Sequence, residues 1–110
     1  MNDVLFRGVY GYFVDDLLVY VGSSACGLEK LEHNHRHWKE QYGEQGRTRF
    51  RTHLTENDSY IDGQFRWLVK PAQRTQQEVE GLEGQLIRSL NPHLNVDRDP
   101  VASSIKYGRY

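Results

Sequence analysis

The sequence predicts an α+β domain: a small, mainly antiparallel three-stranded sheet flanked by helices, in the order β-β-α-α-β-α. Three observations carry this reading. Two apolar runs rich in β-branched and aromatic residues flank Asp15-Asp16, and a third such run, QFRWLV, occupies residues 64–69. The stretches between and after them carry apolar residues at helical spacing. The last of these opens on Thr75 with Glu78 three residues on, the pattern of a helix-initiating capping box. A hairpin and a third strand interleaved with helices make a sheet covered by helices.

The first strand is expected to begin near Leu5 or Phe6 and to continue through Gly8-Val9-Tyr10, with the second carrying Tyr20-Val21-Gly22. Asp15 and Asp16 tolerate the left-handed backbone of a tight turn, so the segment reads as a β-hairpin. Side chains alternate faces along a strand, and Tyr10 and Tyr20 have the same parity. An even-length turn would therefore throw them onto opposite faces. For the two phenols to share a face the hairpin needs an odd turn or a bulge, for instance a three-residue loop over Val14, Asp15 and Asp16.

Gly22 to Gly27 reads as a loop of small residues. A helix is predicted from about Leu28 to Gln41, with Leu28, Leu31, Trp38 and Tyr42 in one stripe and His35 inside it. After the break at Gly43 to Gly46, Thr48 to Glu56 forms a second helix on which Phe50 and Leu54 lie one turn apart. Residues 57–63 are loop by composition. The third strand is expected to place Phe65, Trp67 and Val69 on one face, to stop at Lys70-Pro71 and to pair antiparallel beside the hairpin. The final helix runs from Thr75 to about Leu90, burying Val79, Leu82, Leu86, Ile87 and Leu90, with Glu83 near the middle of that stripe. Asn91-Pro92 ends it. Residues 97–110 form a tail.

With 110 residues, 37% hydrophobic and 26% charged, the chain has room for one domain with one core. No apolar run reaches membrane-spanning length and no secretory leader is visible, so no membrane partner is expected. The single cysteine, Cys26, cannot close an internal disulfide, which makes a reducing cytoplasm the simplest compartment. Nothing near Cys26 is arranged as its base, so it reads as a small loop side chain. A net charge of −1 argues against a protein that coats nucleic acid by charge alone. The runs 33–39 (HNHRHWK) and 46–51 (GRTRFR) are locally basic, as suits contact with a few phosphates at one site.

Glu83 is the most informative single residue. A carboxylate in an apolar stripe is either satisfied by a cation, here Arg36 or Arg51, or holds a metal. Tyr10 and Tyr20 read from their strands alone as core aromatics, and His35 as a core histidine. A metal site built from His33, His35 and His37 is disfavoured, because alternate residues on a helix point apart. Asn95 reads as a turn residue.

GVY followed by YVG at this spacing, then a His- and Arg-bearing helix, a third strand, and a helix reading Glu83-Gly84-Gln85-Leu86-Ile87 and stopping before Asn95, resembles the GIY-YIG endonuclease superfamily. The resemblance covers about residues 7–96 of a single domain spanning 1–110. It implies Tyr10 as general base for the attacking water and Tyr20 as a hydrogen-bonding partner near the scissile phosphate. It further implies His35 as a contact to the phosphate or a proton relay for Tyr10, Glu83 as the one protein ligand of Mg²⁺ or Mn²⁺, and Asn95 beside the metal. The sequence departs from the pattern at Leu31, where the family's helix normally carries an arginine. Arg36 is the expected substitute, with Arg47, Arg49 and Arg51 as alternatives.

The expected activity is hydrolysis of DNA phosphodiester bonds, with nucleic-acid contacts from Lys30, Arg47, Arg49 and Arg51. A catalytic domain of this size is expected to act as a homodimer, with a separate DNA-recognition partner, or with little sequence preference, in a phage or mobile-element setting. The alternative is a GIY-YIG-like domain that binds nucleic acid or a protein without cutting.

Overall fold

Val9, Tyr10 and Tyr12 in one run, and Val19, Tyr20 and Val21 in the next, are the side chains a sheet buried on both faces demands, and all six are buried. The computed structural model describes residues 3–56, 63–92, 94 and 95, without the side chains of Arg49, Thr55 and Glu56. Of the expected loop at 57–63, residues 57–62 lie outside the described residues, as does the tail at 97–110, while Gly63 already belongs to the third strand.

Strand β1 (Leu5–Val14) is central, with β2 (Leu17–Ser24) antiparallel on one side and β3 (Gly63–Arg74) antiparallel on the other. The predicted α+β architecture is thus observed, as an open sheet of order β2-β1-β3 with helices.

The hairpin turn has two residues, not three. Asp15 and Asp16 both take positive φ, 52° and 63°, and Val14 pairs with Leu17. Two residues with φ > 0 match the right-handed twist of the flanking strands, so the tight turn is favoured over a longer one. The parity needed to bring the tyrosines together comes from a bulge instead: Tyr12 faces Tyr20 while Phe13 faces Leu18, leaving Val19 extra.

The third strand does not stop at Lys70-Pro71 but runs on to Arg74. The missing N–H of Pro71 is tolerated because β3 is an edge strand and its register with β1 shifts there, Arg7 facing Ala72 and Val9 facing Val69. A second shift falls between Val9 and Tyr10, opposite Leu68. It breaks the alternation, so Phe65 and Trp67 pack on the tyrosine face while Val69 joins Val9 and Val21 on the other.

The predicted first helix is divided. Helix α1 (Leu28–Arg36) ends at His37, whose φ of −110° leaves the helical region, and α2 (Trp38–Tyr42) starts directly after it. A 3₁₀ turn (Gly43–Gly46) follows. The division buries the Trp38 ring and lets its Nε1–H donate to the Arg51 carbonyl at 3.1 Å, while Tyr42 is left exposed. Helix α3 (Arg49–Glu56) is capped by Thr48, whose Oγ1 accepts from Arg51 N–H at 3.1 Å.

Helix α4 (Gln76–Leu90) has the expected capping box: Glu78 N–H donates to Thr75 Oγ1 at 3.1 Å and Thr75 N–H to Glu78 Oε1 at 2.8 Å. It ends in a left-handed Asn91. Leu90, expected in the buried stripe, is exposed in the last turn.

The sheet therefore separates two apolar layers. Leu31 of α1 and Phe50 and Leu54 of α3 cover Tyr10, Tyr12, Tyr20 and Phe65. Val79 and Ile87 of α4 cover Val9 and Val21. Among the described residues no helix is long and apolar enough to cross a membrane.

Candidate active site

Tyr10 and Tyr20 share the face that the bulge at Val19 gives them, their ring centroids 6.1 Å apart. Gly22, opposite Tyr10 in the register, makes this possible. A Cβ there would lie 2.5 Å from the Tyr10 hydroxyl. Gly8 serves the same hairpin on its other side, where a Cβ would meet the Val69 carbonyl at 2.7 Å and the Trp67 ring at 2.8 Å. The glycines of the two tripeptides thus clear space for an aromatic ring on each flank of β1.

His35 comes down onto this face from α1, one turn after Leu31. Its Nε2 lies 2.9 Å from Tyr10 Oη, and both residues are buried, at 6% and 1% exposure. Phe50 of α3 stacks on Tyr20 at 3.9 Å, nearly parallel, and meets His35 edge-on at 5.0 Å. Phe65 of β3 lies 5.5 Å from Tyr10. Phe50 and Phe65 form the apolar wall of the site. The sequence marks both as core residues but gives no sign that they frame these phenols.

The guanidinium of Arg51 reaches the cluster. Its Nε donates to His35 Nδ1 at 3.5 Å, its Nη1 to the Gly46 carbonyl at 2.8 Å, and its plane covers the Tyr42 ring at 4.7 Å. Arg36 is half-buried, and its Nε pairs with Glu32 Oε2 at 3.0 Å. It also lines an open cleft of about 250 Å³ with Glu29, Glu32, His33 and His37. Leu31 is buried in the core, so no cation enters from its position.

His33 and His37 lie together in that cleft, ring centroids 4.4 Å apart, while His35 points inward. The three do not converge. Lys30 is exposed on α1, and Arg47 pairs with Glu44 at 2.9 Å beside the Trp38 ring. The Arg49 side chain lies outside the described residues.

Glu83 is buried, at 5% exposure, on the line of α4 that also carries Val79 and Ile87. It belongs to the layer covering Val9 and Val21, whereas Tyr10 and Tyr20 belong to the other. The edge strand β2 contributes to both layers, with Val19 and Tyr20 in one and Val21 in the other. There the chain beyond α4 returns alongside: Leu94 N–H donates to the Val19 carbonyl at 3.1 Å. Asn95 accepts from Val21 N–H at 2.8 Å and donates to the Val21 carbonyl at 2.6 Å. Asn95 thereby holds the backbone between Tyr20 and Gly22.

Among the described residues no three His, Cys, Asp or Glu side chains gather into a metal-sized group. A Mg²⁺ ion that keeps several waters and takes a substrate phosphate oxygen needs only one or two carboxylates, and Glu83 is a buried one. The arrangement offers a phenol and an imidazole in direct hydrogen bond, a second phenol, a guanidinium behind the imidazole and a carboxylate in the adjoining layer. Compared with models of known families, with curated proteins and with solved structures, the chain finds no match.

Proposed function

We propose that this domain is a metal-dependent endonuclease that hydrolyses DNA phosphodiester bonds. The observation that carries the reading is the 2.9 Å bond between Tyr10 Oη and His35 Nε2, made on the face where Tyr20 also stands. A phenol held by an imidazole is a group able to exchange a proton with an attacking water. Tyr10 acts as the base, Tyr20 as a hydrogen-bonding partner of the phosphate, and Glu83 as the residue that would hold Mg²⁺ or Mn²⁺. That ion, when bound, stabilises charge on the leaving oxygen. Arg51 supplies the cation near the site in place of Arg36. Such chemistry depends mainly on placement and electrostatics, so few residues suffice. DNA is the partner, with exposed Lys30 and Arg47 as the candidate phosphate contacts and either self-association or a second protein supplying recognition.

A second reading is favoured by two observations. Leu31 fills the core where the resemblance calls for an arginine, and Tyr10 is only 1% exposed. On this reading the domain binds nucleic acid or a protein without cutting.

Nicking of supercoiled plasmid in Mg²⁺ or Mn²⁺ separates the two. Nicking by the wild type that disappears in Glu83→Ala and with chelator supports the nuclease. No cleavage of duplex, single-stranded or branched DNA rejects it in favour of the binding module.

A further inference from the structure

Arg51 contacts His35 on the ring nitrogen opposite Tyr10, and this decides which way the Tyr10–His35 hydrogen bond runs. A guanidinium has donors only. With Arg51 Nε donating at 3.5 Å, Nδ1 of His35 must present its lone pair. The ring proton then resides on Nε2, and the 2.9 Å bond is donated by Nε2–H to Tyr10 Oη. We infer that Arg51 is a positioning residue: it fixes His35 as the neutral Nε2–H tautomer, so that Tyr10 accepts the bond and His35 is not its base. This deepens the endonuclease reading and rests on it for its consequence in catalysis.

Proton bookkeeping follows from that direction. His35 has no lone pair toward Tyr10 and cannot take the phenol's proton. Tyr10 loses that proton to solvent, and the phenolate left behind is stabilised by the Nε2–H donor. It then takes one proton from water as the water oxygen bonds to phosphorus, which returns Tyr10 to the phenol. The guanidinium that imposes this order is itself held in place, by the Gly46 carbonyl at 2.8 Å and by the Tyr42 ring at 4.7 Å. The Arg51 backbone is fixed as well, its N–H by Thr48 and its carbonyl by Trp38.

The test reads the tautomer directly, by long-range ¹H–¹⁵N correlation within the imidazole rings of the whole chain at neutral pH. His35 is assigned by the loss of its signals in His35→Asn. The wild type is expected to show protonated Nε2 and bare Nδ1. Arg51→Met, which keeps bulk and removes the donor, is expected to show a mixture of tautomers and to nick DNA about tenfold more slowly, a small part of what general acid–base catalysis supplies. A wild-type His35 carrying its proton on Nδ1, or on both nitrogens, overturns the inference, and so does Arg51→Met with an unchanged tautomer and rate. If Arg51→Met does not fold, the wild-type spectrum decides alone. A wild type with the expected tautomer and no nicking supports the role of Arg51 in setting this bond and rejects the nuclease reading instead.

Discussion

Asn95 closes its side-chain amide on both backbone groups of Val21, making a two-bond ring between the segment after α4 and the edge strand β2. Val21 joins the two layers: its side chain packs against α4, while its neighbours Tyr20 and Gly22 border the site on the other face. The clamp also pairs groups that an edge strand would otherwise leave open.

Asn95→Leu leaves the Val21 N–H and C=O without these partners in a buried setting. Each orphaned group costs about 1–3 kcal/mol, so for the two a loss of roughly 2–6 kcal/mol is expected in denaturant unfolding. The displaced β2 edge should carry nicking down with it. An Asn95→Leu protein of wild-type stability that has lost all nicking would show instead that the amide acts on the substrate.

Gly22→Ala tests the space beneath the Tyr10 hydroxyl. The added methyl carbon would sit 2.5 Å from Tyr10 Oη, and the ring cannot retreat because Tyr20 and Phe65 flank it. Overpacking of this kind costs about 1–3 kcal/mol. It should also lengthen the bond to His35, so thermal unfolding and the His35 ring signals are expected to change together. A variant with unchanged midpoint and spectrum would show that the glycine is replaceable.

The hairpin, the third strand and the last helix are legible because local chemistry fixes them. Asp15-Asp16 specifies the turn, and Thr75 with Glu78 specifies a helix start. The need for Tyr10 and Tyr20 to share a face calls for one odd residue, but whether it sits in the turn or at Val19 is decided by strand twist, which leaves no mark in composition. The division at His37 has no glycine or proline to announce it and arises from burying Trp38 under α3. The sequence favours Arg36, beside His35 on the same helix, over Arg51 until α3 is laid against α1. Then Arg51 is seen to reach His35, and Arg36 to pair with Glu32.

Tyr10→Phe removes one hydroxyl without changing the packing. His35 loses its 2.9 Å partner inside the core, for which about 1–3 kcal/mol of stability is expected to be lost. If Tyr10 is the base, nicking falls by 10²-fold or more at the same DNA concentration. A variant that is destabilised but nicks at the wild-type rate would leave the Tyr10–His35 pair a purely structural one.

Glu44 is held below the usual carboxylate range by Arg47, through a 2.9 Å hydrogen bond and its charge. A lowered folded-state value means the pair stabilises the fold above the unfolded carboxylate's titration and that this contribution disappears as pH falls through the folded one. The group is fully exposed, so the effect on unfolding is small, and NMR titration is the sensitive measurement. In Arg47→Ala, Glu44 is expected to titrate at higher pH than in the wild type. An unmoved titration would mean that Arg47 does not hold it.

Glu83→Gln distinguishes a metal ligand from a buried structural acid. The amide has nearly the carboxylate's shape, so packing against Val79 and Ile87 is retained and only the charge is removed. If the charge serves to bind Mg²⁺ or Mn²⁺, the variant loses both nicking and the rise in melting temperature that added metal gives the wild type. Its stability without metal should stay close to that of the wild type, since the amide keeps the carboxylate's shape. If Glu83 instead serves a structural ion pair, removing one partner strands the other in the core. The variant then loses about 3–5 kcal/mol whether or not metal is present. Melting curves of the two proteins with and without Mg²⁺ thus assign Glu83 even before any DNA is added.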